Sequence, residues 1–242
     1  MQLKDLEQMY AVEVDHWWFA GKRMLFKKLL AERLARPGLR MLDVGSGTGA
    51  VPSDFMRHGW IVATDRSVDA MRFARKRGVK AAAVSDATVL PVAPACMDLV
   101  LAFDVIEHVD DDRGMLAEIA RVLRPGGMVA IHVPAWPSLW SRHDEVLQHK
   151  RRYTRRSLRR LIEASPLSLE YLGWTSATIL APAFAVRGIE RLLGPLSETA
   201  DIYPAPAPIN ALLKAVYRAE AAIASTTGLP FGLSLAALAV RR

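Results

Sequence analysis

Apolar residues fall into two alternating patterns along the chain, short solid runs and sparser helical spacings. Met41, Leu42 and Val44 form a run of the kind expected in a buried parallel strand, and Gly45-Ser46-Gly47-Thr48-Gly49 breaks it. Helical spacing resumes at Val51, Phe55 and Met56. A second run over 60–65 (WIVATD) leads into a helix over 68–77, capped by Ser67, with Met71, Phe73 and Ala74 on its buried side. A short third strand covers 80–85, and 97–103 (MDLVLAF) is the strongest strand pattern in the chain. Residues 112–123 turn Met115, Leu116, Ile119, Val122 and Leu123 to one side. Arg124-Pro125-Gly126-Gly127 stops that helix before a fifth strand, 128–133, which Pro134 ends. Further on, Thr154 caps a helix whose apolar face is Leu158, Leu161 and Ile162, and 167–178 and 233–240 read as strands six and seven. Strands alternating with helices predict an α/β protein with a mostly parallel sheet covered on both faces.

Two flanking regions extend this alternation. Residues 1–36 read as helical, with Leu25, Phe26, Leu29 and Leu30 sharing apolar faces and Pro37-Gly38 ending the segment. Between strands six and seven lie an apolar stretch at 179–186, a helix around 189–193, a proline-rich span (Pro204, Pro206, Pro208) and a helix around 209–224. This insertion carries few charges, which points to a membrane surface or a dimer interface. A membrane-spanning helix is not expected: 171–186 is short and contains Pro182, and Gly228 and Pro230 split 221–240.

The first strand, glycine turn and helix form the front half of a nucleotide-binding unit, in which glycines admit a ligand to the main chain and the helix start offers N–H groups. The spacing is G-x-G-x-G rather than G-x-G-x-x-G, with Asp43 two residues before the first glycine. That acid would repel a pyrophosphate and hold an ammonium group. Asp65, closing the second strand, stands where an acid binds ribose hydroxyls. A ribose and an ammonium without a diphosphate describe S-adenosylmethionine (SAM). Here the chain resembles the class I SAM-dependent methyltransferases, of the broad type that includes the ubiquinone-biosynthesis O-methyltransferases. The resemblance is best over 40–165 and includes the phrase LAEIARVLRPGG before an apolar strand. It implies a Rossmann-like seven-stranded sheet whose last two strands are antiparallel. The expected layout is an N-terminal helical lid (1–38), a SAM-binding core (39–178), a helical insertion (179–228) and the last core strand (229–242).

The resemblance also implies roles. Asp43, Gly45, Ser46 and Gly47 would surround the methionine end of SAM, Asp65 and Arg66 the ribose side, Asp86 and Ala87 the adenine, and Phe103 the region near the methyl donor. Asp104 would line the pocket mouth. Asp104, Glu107 and His108 resemble an acid-x-x-Glu-His arrangement that binds a divalent metal in some relatives; no fourth ligand is identifiable and no metal is assigned. His108 is a candidate general base because an imidazole titrates near neutrality. The segment 134–153 follows strand five and is dense in aromatic and ionisable groups, so Trp136, Trp140, His149 and Tyr153 are candidate acceptor-binding residues, and His143 with Asp144 is a candidate base and orienting acid. The run Asp15-His16-Trp17-Trp18-Phe19 precedes Lys22 and Arg23. Trp17 and Trp18 either roof the active site or dock the helix on the sheet.

Composition narrows the partners little. Of 242 residues 51% are hydrophobic, enough for a sizeable core, and the net charge of +7 favours anionic partners: nucleic acid, acidic headgroups or phosphorylated substrates. Seven basic residues fall within 150–160, as a solvated helix face or an anion-binding strip. They lack the interleaved aromatics of a single-strand nucleic-acid platform, so nucleic acid is not the expected partner. The lone Cys96 excludes an internal disulfide, and the charged opening MQLKDLEQMY has no apolar signal core, so a cytoplasmic protein, peripheral on the inner membrane face, is expected. The function expected is methylation of an oxygen on a small-molecule or lipid- or glycan-linked acceptor. An RNA methyltransferase and a non-catalytic SAM-binding scaffold are the alternatives, and a homodimer through the insertion is an expected assembly.

Overall fold

Three helices open the chain in the computed structural model, which describes residues 3–193 and 205–242. They are α1 (Leu3–Val12), α2 (Trp17–Leu29) and the short α3 (Ala31–Leu34). The core then alternates β1 (Leu39–Val44), α4 (Ala50–Phe55), β2 (Gly59–Asp65), α5 (Val68–Lys76), β3 (Ala81–Val84), β4 (Met97–Phe103), α6 (Asp112–Val122) and β5 (Leu123–Pro134). Next come α7 (Arg142–Val146), α8 (Arg155–Glu163), β6 (Leu167–Thr175), α9 (Leu180–Leu193), α10 (Ala207–Ala224) and β7 (Ser234–Arg241). Pro204, at the head of the expected proline-rich span, lies outside the described residues.

The seven strands form one sheet in the order β3-β2-β1-β4-β5-β7-β6. The first five pair in parallel, and β7 runs antiparallel between β5 and β6. This is the Rossmann-like seven-stranded sheet, with its last two strands antiparallel, that the resemblance implies. Every residue of β4 is buried, the expected consequence of covering a central parallel strand on both faces. One face packs Met115, Leu116 and Ile119 of α6 with Leu158 and Ile162 of α8. The other packs Leu25, Phe26 and Leu30 with Phe55 and, from α10, Ala221 and Ala224. Strand order reverses between β1 and β4, so the ligand crevice of such a sheet opens at their carboxyl ends.

Two differences from the sequence reading have physical causes. β5 begins at Leu123, directly after α6, because Leu123 already pairs with Met97 across a register shift; the proline and glycines lie within the strand rather than before it. The connection between β6 and β7 is also less detached than an inserted cap. Its second helix, α10, is part of the sheet's covering layer: Tyr217 is buried, and Tyr171 donates its hydroxyl to Ala224 O at 2.9 Å. Thr175 and Ser234 pair with each other, and Ser234 pairs with Pro134, so this connection leaves and rejoins the sheet at the carboxyl edge, over the crevice.

Candidate active site

The glycine turn bends tightly under β1. Gly45, Gly47 and Gly49 have φ of 72°, 52° and 90°, values that glycine adopts without strain. Gly45 and Ser46 donate their N–H groups to Thr64 O, which ties the turn to β2. A Cβ on Gly45 would lie 2.5 Å from Val105, and one on Gly47 would lie 3.3 Å from Met9 of α1. The N-terminal helix therefore lies directly on the loop. Leu6 anchors it among Ala70, Met71 and Phe73, Arg77 stacks on Tyr10, and buried Glu13 takes the Thr48 hydroxyl and an ion pair from Arg77. Burial raises the Glu13 pKa, against the opposing hydrogen bond from Thr48 and the charge of Arg77.

Asp43 is buried, and its Oδ2 has no hydrogen-bond partner. Burial pushes its pKa up to about 8, only partly opposed by Ser46. An orphaned carboxyl oxygen beside a glycine turn fits a ligand ammonium. Asp65 accepts from Gly47 N at 3.0 Å and from Ser67 N at 2.9 Å, fixing its carboxylate at the end of β2. Arg66 is exposed and faces Asp86 at 3.6 Å. Asp86 is exposed as well, with its pKa lowered by hydrogen bonds from the Thr88 backbone and hydroxyl, whereas Ala87 is buried.

A second group of side chains, from four separate segments, meets at the end of β4. Asp104 has φ of 51°, an uncommon value for a residue with a side chain. Its carboxylate takes Lys22 Nζ of α2 on one oxygen and lies 2.5 Å from His132 Nδ1 of β5 on the other. His132 Nε2 faces the Thr175 hydroxyl of β6 at 3.3 Å. Burial holds His132 well below the usual imidazole range, helped by the Lys22 charge, and lowers Lys22 to about 8. Trp18, Lys22, His132, Thr175, Tyr217 and Glu220 line a small cavity here. Sequence reasoning named Asp104 and Trp18 but missed Lys22, His132 and Thr175 as site residues. The available signals were an imidazole inside an apolar strand (MVAIHVP) and a lysine inside an aromatic helix start.

Other candidate residues are placed differently from expectation. Phe103 stacks on Phe26 with centroids 4.1 Å apart, so its ring is covered by α2. Trp17 packs edge-on against Tyr217 of α10, which supports the docking reading for that ring. Trp136 stacks on Trp174 at 5.1 Å and donates its indole N–H to Gly232 O, and Trp140 is partly exposed. Tyr153 is a correction: it is buried, and its hydroxyl donates to Asp112 at 3.1 Å. The His143–Asp144 pair is another. Asp144 is fully buried and accepts from Arg152 at 2.7 Å and His149 at 2.8 Å, contacts that hold its carboxyl far below the usual range, while His143 is exposed on α7.

Glu107, His108 and His149 have side-chain ligand atoms within 4.8 Å of one another. This trio differs from the sequence-suggested set because Asp104 is engaged by Lys22 and His132. Glu107 is fully buried with both oxygens unpartnered, and burial raises it to about 8. His108 is lowered to about 4 by burial and by His149.

Residues 42–131 match the model of the methyltransferase domain family. An uncharacterized 37.1 kDa protein in transposon TN4556 of Streptomyces fradiae is 33% identical over 139 residues, covering 54% of this chain and 40% of that protein. The ubiquinone biosynthesis O-methyltransferase of Rhodopseudomonas palustris is 35% identical over 99 residues, covering 39% of each chain. The chain thus spans well under two thirds of these relatives' length. Among solved structures, the [4+2]-cyclase SpnF aligns with a TM-score of 0.58 at 21% identity, covering 89% of this chain and 80% of that one. A chain of the Haloferax volcanii complex between the Trm112 methyltransferase activator and a methyltransferase aligns at 0.63 and 18% identity, covering 99% and 93%. Residues 42–131 thus match a methyltransferase domain, and the sheet shares the fold of these solved structures. A cyclase on the same fold is a reminder that the fold alone does not specify the chemistry. No helix among the described residues is long and apolar enough to cross a membrane.

Proposed function

We propose that this protein binds SAM at the glycine turn and methylates a hydroxyl oxygen of an acceptor held between α2, α10 and the ends of β4 and β5. The observation that carries the reading is the pairing of an orphaned, buried Asp43 oxygen with a buried His132 oriented by Asp104 at the same edge of the sheet. SAM, when bound, supplies an already activated sulfonium methyl group. The chain's own task is alignment, exclusion of water and removal of one proton. Asp43 takes the ammonium of the cofactor, and Asp65 takes the ribose hydroxyls on the lone pairs left free by Gly47 and Ser67. His132 is neutral at neutral pH, with Nδ1–H held by Asp104, so Nε2 can take the proton of the attacking hydroxyl. Asp104 offsets the charge that then forms on the ring. His108 and His143 are not needed as bases.

Exposed apolar residues on α9 (Phe184, Ile189) and α10 (Ile209, Leu212, Ile223) support a lipid-linked acceptor delivered from a membrane surface. Calorimetry with SAM, followed by a screen of hydroxyl acceptors, tests the reading. Asp43→Ala is expected to abolish SAM binding. His132→Ala is expected to leave binding intact and lower kcat by about 10²-fold or more. Absence of SAM binding by the intact chain would overturn the assignment, and full turnover by His132→Ala would remove His132 as the base.

A further inference from the structure

Apart from Arg152, which holds Asp144, the arginines of 150–160 take no part in the site described above, and they divide sharply by partner. Arg151 pairs with Asp112 at 2.7 Å, Arg152 with Asp144 at 2.7 Å and Arg159 with Glu163 at 3.3 Å, while Arg155 donates to Leu172 O at 3.0 Å. Arg156 and Arg160, one turn apart on α8, and Arg113 in the first turn of α6 have no acidic or carbonyl partner among the described residues. These three line one open groove between the starts of α6 and α8. The carboxylate in its wall, Asp112, is taken by Arg151 and by the Tyr153 hydroxyl. Thr154 and Ser157 cap α8 reciprocally, and the positive end of the helix dipole adds to the field at the groove.

A solvated helix face spreads its cations over a convex surface. Here three guanidiniums without ion-pair partners among the described residues line one concavity, where a multiply charged anion would meet all of them. The planar forks match phosphate oxygens in pairs. α6 follows the carboxyl end of β4 and α8 follows that of β5, so the groove opens on the same edge as the crevice.

We propose that this groove binds a phosphate or diphosphate group. As part of the methyl acceptor, that group deepens the methyltransferase reading and rests on it; as a bare anion site it stands alone. The test titrates inorganic pyrophosphate into the full chain by calorimetry, without SAM. Saturable one-to-one binding is expected, weakened at least tenfold in the Arg156→Gln/Arg160→Gln variant and in Arg113→Gln, and unchanged in Arg159→Gln. Thermal melts confirm that each variant is folded.

A second arm uses phosphatidylcholine vesicles with and without phosphatidic acid. Vesicle binding that pyrophosphate displaces identifies the source as a lipid headgroup. Pyrophosphate binding without vesicle binding identifies a soluble phosphorylated acceptor. Both support the site. It is overturned if neither probe binds saturably, if Arg159→Gln weakens binding as much as the double variant, or if a single-stranded RNA oligonucleotide displaces pyrophosphate at lower concentration. Because SAM is absent throughout, failure of the methyl-transfer reading would leave a positive result standing, and a negative result would leave that reading untouched.

Discussion

In the proposed SAM site, Asp43 couples binding to pH. The carboxyl, held at about 8 by burial, keeps its proton at neutral pH, whereas an ammonium ligand needs it ionised. Binding must therefore release a proton below pH 8. Affinity for SAM should rise with pH from 6 towards 8, by at most tenfold per pH unit, and fall above 8 as an α-amino group loses its charge. Calorimetry in buffers of different ionisation enthalpy should detect close to one proton released per SAM at pH 7. Asp43→Asn should remove both the release and the slope, and a pH-independent affinity in the intact chain would refute the coupling. At this scale the gathering of Asp43, the glycines and Asp65 around one turn was readable because they are contiguous or set by strand spacing. Lys22, His132 and Thr175 were not, since they meet only when α2, β5 and β6 converge on Asp104.

α2 and α10 approach more closely than ordinary side chains permit. A Cβ at Gly21 would lie 2.2 Å from the Tyr217 ring and 3.0 Å from its Cβ, too near the main chain for the ring to swing clear. Gly21→Ala should destabilise the protein by about 1–3 kcal/mol, seen as a lower urea midpoint, and should distort the cavity at His132. A midpoint equal to that of the parent would show that the helices can separate freely. The same helix pair shares a cap: Asn210 Oδ1 accepts from Trp17 N at 2.8 Å, and its amide donates to Asp15 O at 3.0 Å. Local signals forecast the start of α8 at Thr154, because a cap lies within four residues of what it caps. No such signal could announce that α2 is capped from a residue so far along the chain.

The whole molecule gathers its chemistry on one edge. The glycine turn, the Asp104 group, the arginine groove and both ends of the β6–β7 connection all lie at the carboxyl ends of the strands. The alternating pattern foretold the sheet and its order of elements, because each run had to be buried between helices. It gave α10 only as part of a helical insertion, because that helix is apolar on both its buried and its exposed sides, and hydropathy alone does not say which side meets the core. Tyr217 and Ala221 are buried while Leu212 and Ile223 are exposed. If the exposed side meets lipid, Leu212→Glu/Ile223→Glu should lose flotation with anionic liposomes while retaining its melting temperature. Unchanged flotation would locate membrane contact elsewhere or exclude it.

The Asn210 cap has a consequence for biosynthesis. A ribosome delivers Trp17 long before Asn210, so the helix that carries Lys22 emerges with its leading amide unfastened and its aromatic flank bare. The pocket wall can close only once Asn210 has left the ribosome, and a nascent chain interrupted earlier would display tryptophan rings to whatever quality-control machinery surveys it.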